Sequence, residues 1–184
     1  MGEQHKKHSR REHLNDFHLN VAGEYVYDGA LYACQNDDAK QRRSKRAVWG
    51  MAAILTVAVA AGGCIPAPGM QNCFYVLLPY LGEFLGAASV IWALAKLGTD
   101  WSTVREYNYK KSVAVLPVRT AVTAVFSGLG IVCELIFFFV NDHAGQTFFA
   151  LLYVLLKLIA LLSVLVLRAE IMQAEWDKLP KKNN

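Results

Sequence analysis

Four long apolar segments, separated by polar ones, dominate the hydrophobic pattern of the chain. They cover residues 47–66, 73–96, 118–140 and 147–168. A hydrocarbon core of about 30 Å is crossed by roughly 20 helical residues, and a helix satisfies its own backbone hydrogen bonds within lipid. Each segment meets that length. The pattern therefore predicts an all-α integral membrane protein with a four-span membrane domain over residues 47–168.

The connections between the spans are of two kinds. Residues 67–72 and 141–146 are short, whereas residues 97–117 form a longer connection. Short connections join neighbouring helices that run in opposite directions. We therefore expect the four transmembrane helices to form two antiparallel hairpins.

Lysine and arginine lie almost entirely outside the spans. Nine precede the first span, five lie in or beside the longer connection, four lie at or after the end of the last span, and the two short connections contain none. The positive-inside rule then predicts a multi-pass cell-membrane protein with both termini and the longer connection in the cytoplasm. Basic residues beside the spans also suit contact with an anionic inner leaflet, so the positive charge predicts no nucleic-acid partner.

The polar ends of the chain divide into three predicted segments. Residues 1–16 lack periodicity and are typical of a disordered tail, residues 17–46 form a cytosolic N-terminal segment, and residues 169–184 form a cytosolic C-terminal tail. The last span is expected to continue as a helix until Pro180. Together with the membrane domain over residues 47–168, these segments cover all 184 residues.

A small cytosolic cap is expected from residues 17–32 together with residues 101–111. Apolar and polar residues alternate on both sides of Ala22-Gly23, which predicts a short β-hairpin, and a helix is expected from about Asp28 onward. The alternative is a helix along the membrane surface, with its tyrosines at headgroup level.

Composition supports membrane residence and gives no enzymatic signature. Hydrophobic residues make up 54% of the 184 residues and charged ones 18%, whereas soluble domains average about 45–50% and about 25%. This excludes an ordinary cytosolic domain. The chain has no phosphate-binding, dinucleotide-binding, serine-hydrolase or zinc-protease motif, so we predict no cofactor and no metal site.

Glu83 and Lys157 are the main candidate functional residues because they lie deep inside predicted spans. Each is ten residues from the end of its span at a short connection, or about 15 Å deep, near the midplane. Equal depth and opposite sign predict that they pair. The pair is either a structural lock between the hairpins or part of an ion or transport site.

Glu134 is a second acid within a span, six residues from the end of the third span. Four interpretations remain open. It is protonated, it reaches Lys157, it lines a vestibule at the outer face, or it is a helix-end acid near the interface.

Three residues near Glu83 predict how the second span bends and packs. Pro79 removes the hydrogen bond to the carbonyl of Tyr75 and is expected to kink the helix. Gly82 and Gly86 form a GxxxG pair that allows another helix to approach closely, either within this chain or from another one.

Two cysteines flank the first short connection. Cys64 and Cys73 are expected on the outer side, where oxidising conditions permit a disulfide that closes the loop.

A weak internal repeat relates the two hairpins. Glu24-Tyr25-Val26-Tyr27 precedes the first hairpin and Glu106-Tyr107-Asn108-Tyr109 precedes the second, and an offset of 74 residues aligns Glu83 with Lys157. A true repeat would place two similar hairpins around an axis normal to the membrane, with the tyrosine segments meeting on the cytosolic side.

Three functional classes follow from these features. The first is a non-enzymatic accessory or assembly subunit of a membrane complex, with a membrane-protein partner or a homo-oligomer. The second is a small oligomeric solute or ion transporter that uses Glu83, Lys157 and Glu134. The third is a membrane enzyme that acts at the outer loop.

Overall fold

The computed structural model describes residues 17–19, 23, 25–27, 29–141 and 147–179. The predicted disordered tail, residues 1–16, lies outside the described residues, as do residues 142–146 and Pro180.

The described chain is mostly helical. It contains four long helices and two short ones, and the four long helices are long and apolar enough to cross a membrane, which confirms that prediction. Helix α1 begins nine residues before the predicted span, so its first turns carry basic side chains. The helices are α1 (Asp38–Cys64), α2 (Pro68–Asn72), α3 (Phe74–Leu97), α4 (Glu106–Lys111), α5 (Leu116–Val140) and α6 (Thr147–Met172).

The long helices form a bundle in which the most extensive contacts are α1 with α6, α3 with α5, and α5 with α6. Helices α1 and α3 are joined by a short connection but share a smaller contact, and α3 and α6 lie diagonally opposite each other. The first predicted hairpin therefore packs more against the second than within itself. Helices α3 and α5 are antiparallel, because Gly86 faces Thr123 and, further along α3, Ser89 accepts a hydrogen bond from Arg119.

Two small sheets accompany the bundle. Strands β1 (Phe17–Leu19) and β2 (Tyr25–Tyr27) pair antiparallel with Phe17 opposite Tyr27, which is the expected β-hairpin. In the second sheet, β3 (Leu31–Cys34) lies between β4 (Val104–Arg105) and β5 (Trp176–Lys178), and both pairings are antiparallel. This sheet joins three distant parts of the chain at one end of the bundle, here called the cap end. The opposite end, with the short connections, is the loop end.

Two expectations about the cap are wrong. The helix expected from Asp28 is replaced by strand β3, and the final helix stops at Met172 rather than continuing to Pro180. Both segments become strands because they pair with each other, with Cys34 opposite Trp176. Ladder partners more than 140 residues apart cannot be read from local periodicity.

The two tyrosine-containing segments of the predicted repeat do not share a secondary structure. Tyr25 lies in strand β2, whereas Tyr107 and Tyr109 lie in helix α4. Tyr109 instead stacks on Tyr32, with ring centroids 4.2 Å apart and an interplanar angle of 6°. The repeat therefore does not extend to the segments that precede the hairpins.

The outside of the bundle is apolar and its centre holds charges. Large aliphatic side chains on all four long helices are exposed, among them Val57, Leu85, Val125 and Leu162. A soluble protein rarely exposes so continuous an apolar surface, whereas a lipid-facing surface requires one. This distribution makes the buried polar residues the distinctive feature of the molecule.

Candidate functional site

Glu83 and Lys157 form a salt bridge in the bundle interior. The ammonium group of Lys157 donates to Oε2 of Glu83. The side chain of Glu83 is 0% exposed and that of Lys157 is 2% exposed. Helices α3 and α6 are diagonal neighbours, so the pair crosses the centre of the bundle. The two residues that the sequence predicts at one depth therefore lie in contact.

Ser127 of α5 completes the hydrogen bonding of the Glu83 carboxylate. Its hydroxyl donates to Oε1 of Glu83 over 2.6 Å, so both carboxylate oxygens have a partner. A buried carboxylate with satisfied oxygens avoids most of the penalty that an isolated charge would incur. Three helices, α3, α5 and α6, are therefore joined at this point.

Two tyrosine rings flank the ammonium group of Lys157. Its Nζ atom lies 4.6 Å from the ring centroid of Tyr80 and 5.1 Å from that of Tyr153. A ring face attracts a cation, most strongly in a desolvated place. Gly130 faces the lysine, since an added Cβ there would be in ordinary van der Waals contact, 3.6 Å from Cε and Nζ of Lys157.

Sequence reasoning missed these supporting residues, although a signal for some of them exists. Tyr80 precedes Glu83 by three residues and Tyr153 precedes Lys157 by four, spacings that place side chains on one helix face. Ser127 has no comparable signal, because only the packing of α5 brings its hydroxyl to Glu83.

Glu134 lies two helical turns from Ser127 on the buried face of α5, toward the loop end. It is fully buried, and among the described residues neither of its carboxyl oxygens accepts a geometrically sound hydrogen bond. Its Oε2 atom lies against Gly69, where an added Cβ would collide with it. Tyr153 is also buried, and its hydroxyl likewise lacks a hydrogen-bond partner in the described part of the chain.

The buried face of α5 is polar for most of its length. Thr120, Thr123, Ser127, Gly130 and Glu134 follow one another at spacings of three or four residues, and all are buried. The hydroxyls of Thr120 and Thr123 donate to carbonyls one turn earlier in the same helix. The hydroxyls of this stripe are thus hydrogen-bonded within α5 or to Glu83, whereas the Glu134 carboxyl has no hydrogen-bond partner among the residues that the structure describes.

Gly82 and Gly86 face α5, which identifies the partner of the GxxxG pair within this chain. An added Cβ at Gly82 would lie 2.5 Å from the ring of Phe126, and one at Gly86 would lie 2.5 Å from Oγ1 of Thr123 and 3.3 Å from its Cα. The two glycines therefore set the distance between α3 and α5 beside Glu83.

Pro79 is buried within α3, and the helix continues from it to Leu97. Its side chain therefore contributes to the packed interior one turn before Glu83.

Cys64 and Cys73 are free thiols, so the expected disulfide is absent. The connection between them forms helix α2, and the backbone N–H of Cys73 donates to the carbonyl of Gly69 over 2.9 Å. Cys73 thus caps α2, while Cys64 is exposed at the end of α1.

Two cavities lie away from the buried charges. One is a small apolar space beneath the cap, between Leu94, Trp101 and Trp176, and the other is a groove on the first turns of α1. Neither is lined by Glu83, Lys157 or Glu134. Across residues 29–141 and 147–179, no three His, Cys, Asp or Glu side chains are grouped so as to hold a metal ion.

The chain has no match among protein-family models, curated proteins or solved structures. The buried residues described above are therefore the basis for assigning a function.

Proposed function

We propose that this protein is a non-enzymatic accessory or assembly subunit of a membrane complex. In this proposal it resides in the cell membrane with both termini in the cytoplasm, and it associates with another membrane protein or with further copies of itself. The observation that carries the proposal is that both carboxylate oxygens of Glu83 are hydrogen-bonded in the bundle centre, one by Lys157 and one by Ser127.

The partnering favours a structural role for the pair over a transport role. An ion or substrate path needs charged groups that can exchange partners with the moving species. Here Lys157 and Ser127 occupy both oxygens of Glu83, and two tyrosine rings flank the ammonium group. Removing one member of a buried pair costs far more than the pair itself contributes, so such a pair enforces one arrangement of helices.

The remaining surfaces suit association. The helices expose aliphatic side chains such as Leu85 and Leu162, which contact lipid or a neighbouring helix equally well. The cap end carries the basic residues and the sheet, which offers a polar contact surface outside the bilayer.

The test is purification in a mild detergent followed by native mass spectrometry and reconstitution into liposomes. The proposal predicts a stoichiometric complex or a defined homo-oligomer, with proton and potassium flux no greater than in protein-free liposomes. A single-chain protein that conducts ions, with conduction lost in Glu83→Gln, would contradict it.

A small oligomeric ion transporter is the second candidate, and one observation favours it. Glu134 and the Tyr153 hydroxyl are buried polar groups without hydrogen-bond partners in the described chain. Both lie between Lys157 and the loop end of the bundle. Unsatisfied polar groups of this kind are typical of sites that exchange a proton or bind a small cation.

The second candidate predicts proton flux that depends on Glu134. In liposomes, Glu134→Gln should abolish the flux, whereas Glu170→Gln should preserve it, because Glu170 accepts a hydrogen bond from Ser44 at the cap end. Flux that is equal in both variants and in empty liposomes would reject this candidate. A membrane enzyme acting at the outer loop stays a third prediction, and residues 142–146 of that region lie outside the described residues.

A further inference from the structure

A basic groove runs along the first turns of α1 at the cap end. Its volume is about 550 Å³, and it is lined by Asp38, Ala39, Arg42, Arg43 and Arg46. These residues form two adjacent rows at four-residue spacing, with Asp38, Arg42 and Arg46 on one side and Ala39 and Arg43 on the other. The small side chain of Ala39 keeps the space between the rows open.

The three arginines are available to an external anion. All three are exposed, and among the described residues no carboxylate oxygen lies within 4.0 Å of their guanidinium groups. Three fixed positive charges within two turns create a strong local field, and guanidinium groups bind phosphate oxygens in a bidentate manner.

The groove lies at the depth of lipid headgroups. Trp49 follows Arg46 by one turn and is exposed, as expected of a tryptophan at the membrane interface. Val57, two turns further along α1, is 68% exposed and belongs to the apolar surface. Arg42 to Arg46 therefore lie about 5–10 Å from Trp49 on the side away from the hydrocarbon.

We propose that this groove binds the phosphate headgroup of an anionic phospholipid in the leaflet at the cap end. Arg43 and Arg46 contact the phosphate, Arg42 adds its charge, and the acyl chains extend past Trp49 along the exposed face of α1. Asp38 repels the phosphate, which places it at the Arg46 end of the groove. The site is independent of the buried pair and of the proposed subunit function.

The test measures binding of phosphatidylglycerol and phosphatidylcholine to the full chain in detergent by native mass spectrometry. One variant carries Arg42→Gln, Arg43→Gln and Arg46→Gln. A matched control removes three surface charges at the same end, by Lys40→Gln, Lys110→Gln and Lys111→Gln. All six side chains are exposed, and the contacts of Lys110 with Glu106 and of Lys111 with Tyr107 lie on the surface, where such pairs contribute little stability, so both variants should keep the unfolding midpoint of the original chain.

The proposal predicts that the original chain and the lysine control retain phosphatidylglycerol in preference to phosphatidylcholine. The arginine variant should bind phosphatidylglycerol about 100-fold more weakly, since each basic residue near the surface contributes roughly a fivefold factor. Equal weakening in both variants would show diffuse attraction rather than a site, and equal binding of the two lipids would exclude an anionic ligand. If the triple arginine variant does not fold, the single Arg43→Gln variant should still lose several-fold in affinity, and an unchanged affinity would overturn the proposal.

Discussion

Single polar side chains decide the character of this bundle. Glu83 and Lys157 are tolerated in an apolar environment because Ser127, Tyr80 and Tyr153 complete their surroundings. The sequence predicts the pair, since depth in a helix follows from residue number at 1.5 Å per residue. It does not predict that Glu134 lacks a hydrogen-bond partner among the described residues, because that depends on which groups of α2 and α6 pack against it.

Glu134→Met should leave the stability of the fold unchanged or increase it. The substitution keeps the length of the side chain and removes a buried carboxyl group whose oxygens lack hydrogen bonds within the described part of the chain. Thermal unfolding in detergent, followed by circular dichroism, measures the effect. A midpoint several degrees below that of the original chain would show that Glu134 has a stabilising partner.

Ser127→Ala should lower the free energy of unfolding by about 1–3 kcal/mol, because it leaves Oε1 of Glu83 buried without a donor. Ser163→Ala is the matched control. Ser163 is also buried, but its hydroxyl donates to the carbonyl of Ile159 in its own helix. That carbonyl keeps its helical backbone hydrogen bond when the hydroxyl is removed. Denaturant titration in mixed micelles compares the two variants. An equal loss in the free energy of unfolding in both variants would show that the hydrogen bond from Ser127 to Glu83 adds no stability of its own.

Whole helices are predicted well by the sequence, and short strands are not. The four apolar segments match α1, α3, α5 and α6 closely at the loop end, because the membrane imposes both length and composition. Strands β3 and β5 are three or four residues long and obtain their hydrogen bonds from distant segments. The GxxxG pair signals a close helix contact, but whether its partner is α5 or another chain depends on the arrangement of the bundle.

Gly86→Ala should destabilise the bundle by about 1–3 kcal/mol, because the new methyl group would collide with Thr123 and force α3 and α5 apart. Gly128→Ala is the control. It lies in α5 with nothing within 4 Å of the added methyl, so the higher helix propensity of alanine should leave stability unchanged or slightly higher. Unfolding midpoints in detergent distinguish the two. A tolerated Gly86→Ala would contradict the close packing of α3 on α5.

On the scale of the whole molecule, the cap gathers the N-terminal segment, the long connection and the C-terminal segment at one end of the bundle. Strand β3 pairs with β4 and β5, and Trp101 packs beside Trp176 with ring centroids 5.8 Å apart. The sequence predicts a cap from the first two of these parts. The contribution of the C-terminal strand follows only from the fold.

The predicted orientation is tested by labelling single cysteines from one side of the membrane. A chain that retains only Cys64, which is exposed at the loop end, should react with an impermeant maleimide added to intact cells. A chain without native cysteines that carries Lys110→Cys at the cap end should react only after permeabilisation. The reverse pattern would place the basic end outside and contradict the positive-inside prediction.

The central claim is that Glu83 and Lys157 lock the two hairpins together as an ion pair. The most direct measurement compares the free energy of unfolding, in detergent, of Glu83→Gln with that of the charge-swapped variant Glu83→Lys, Lys157→Glu. The single substitution leaves a buried lysine without its counter-charge and should cost about 3–5 kcal/mol, whereas the swap restores opposite charges and should cost clearly less. A comparable loss of folded protein in both variants would contradict the claim.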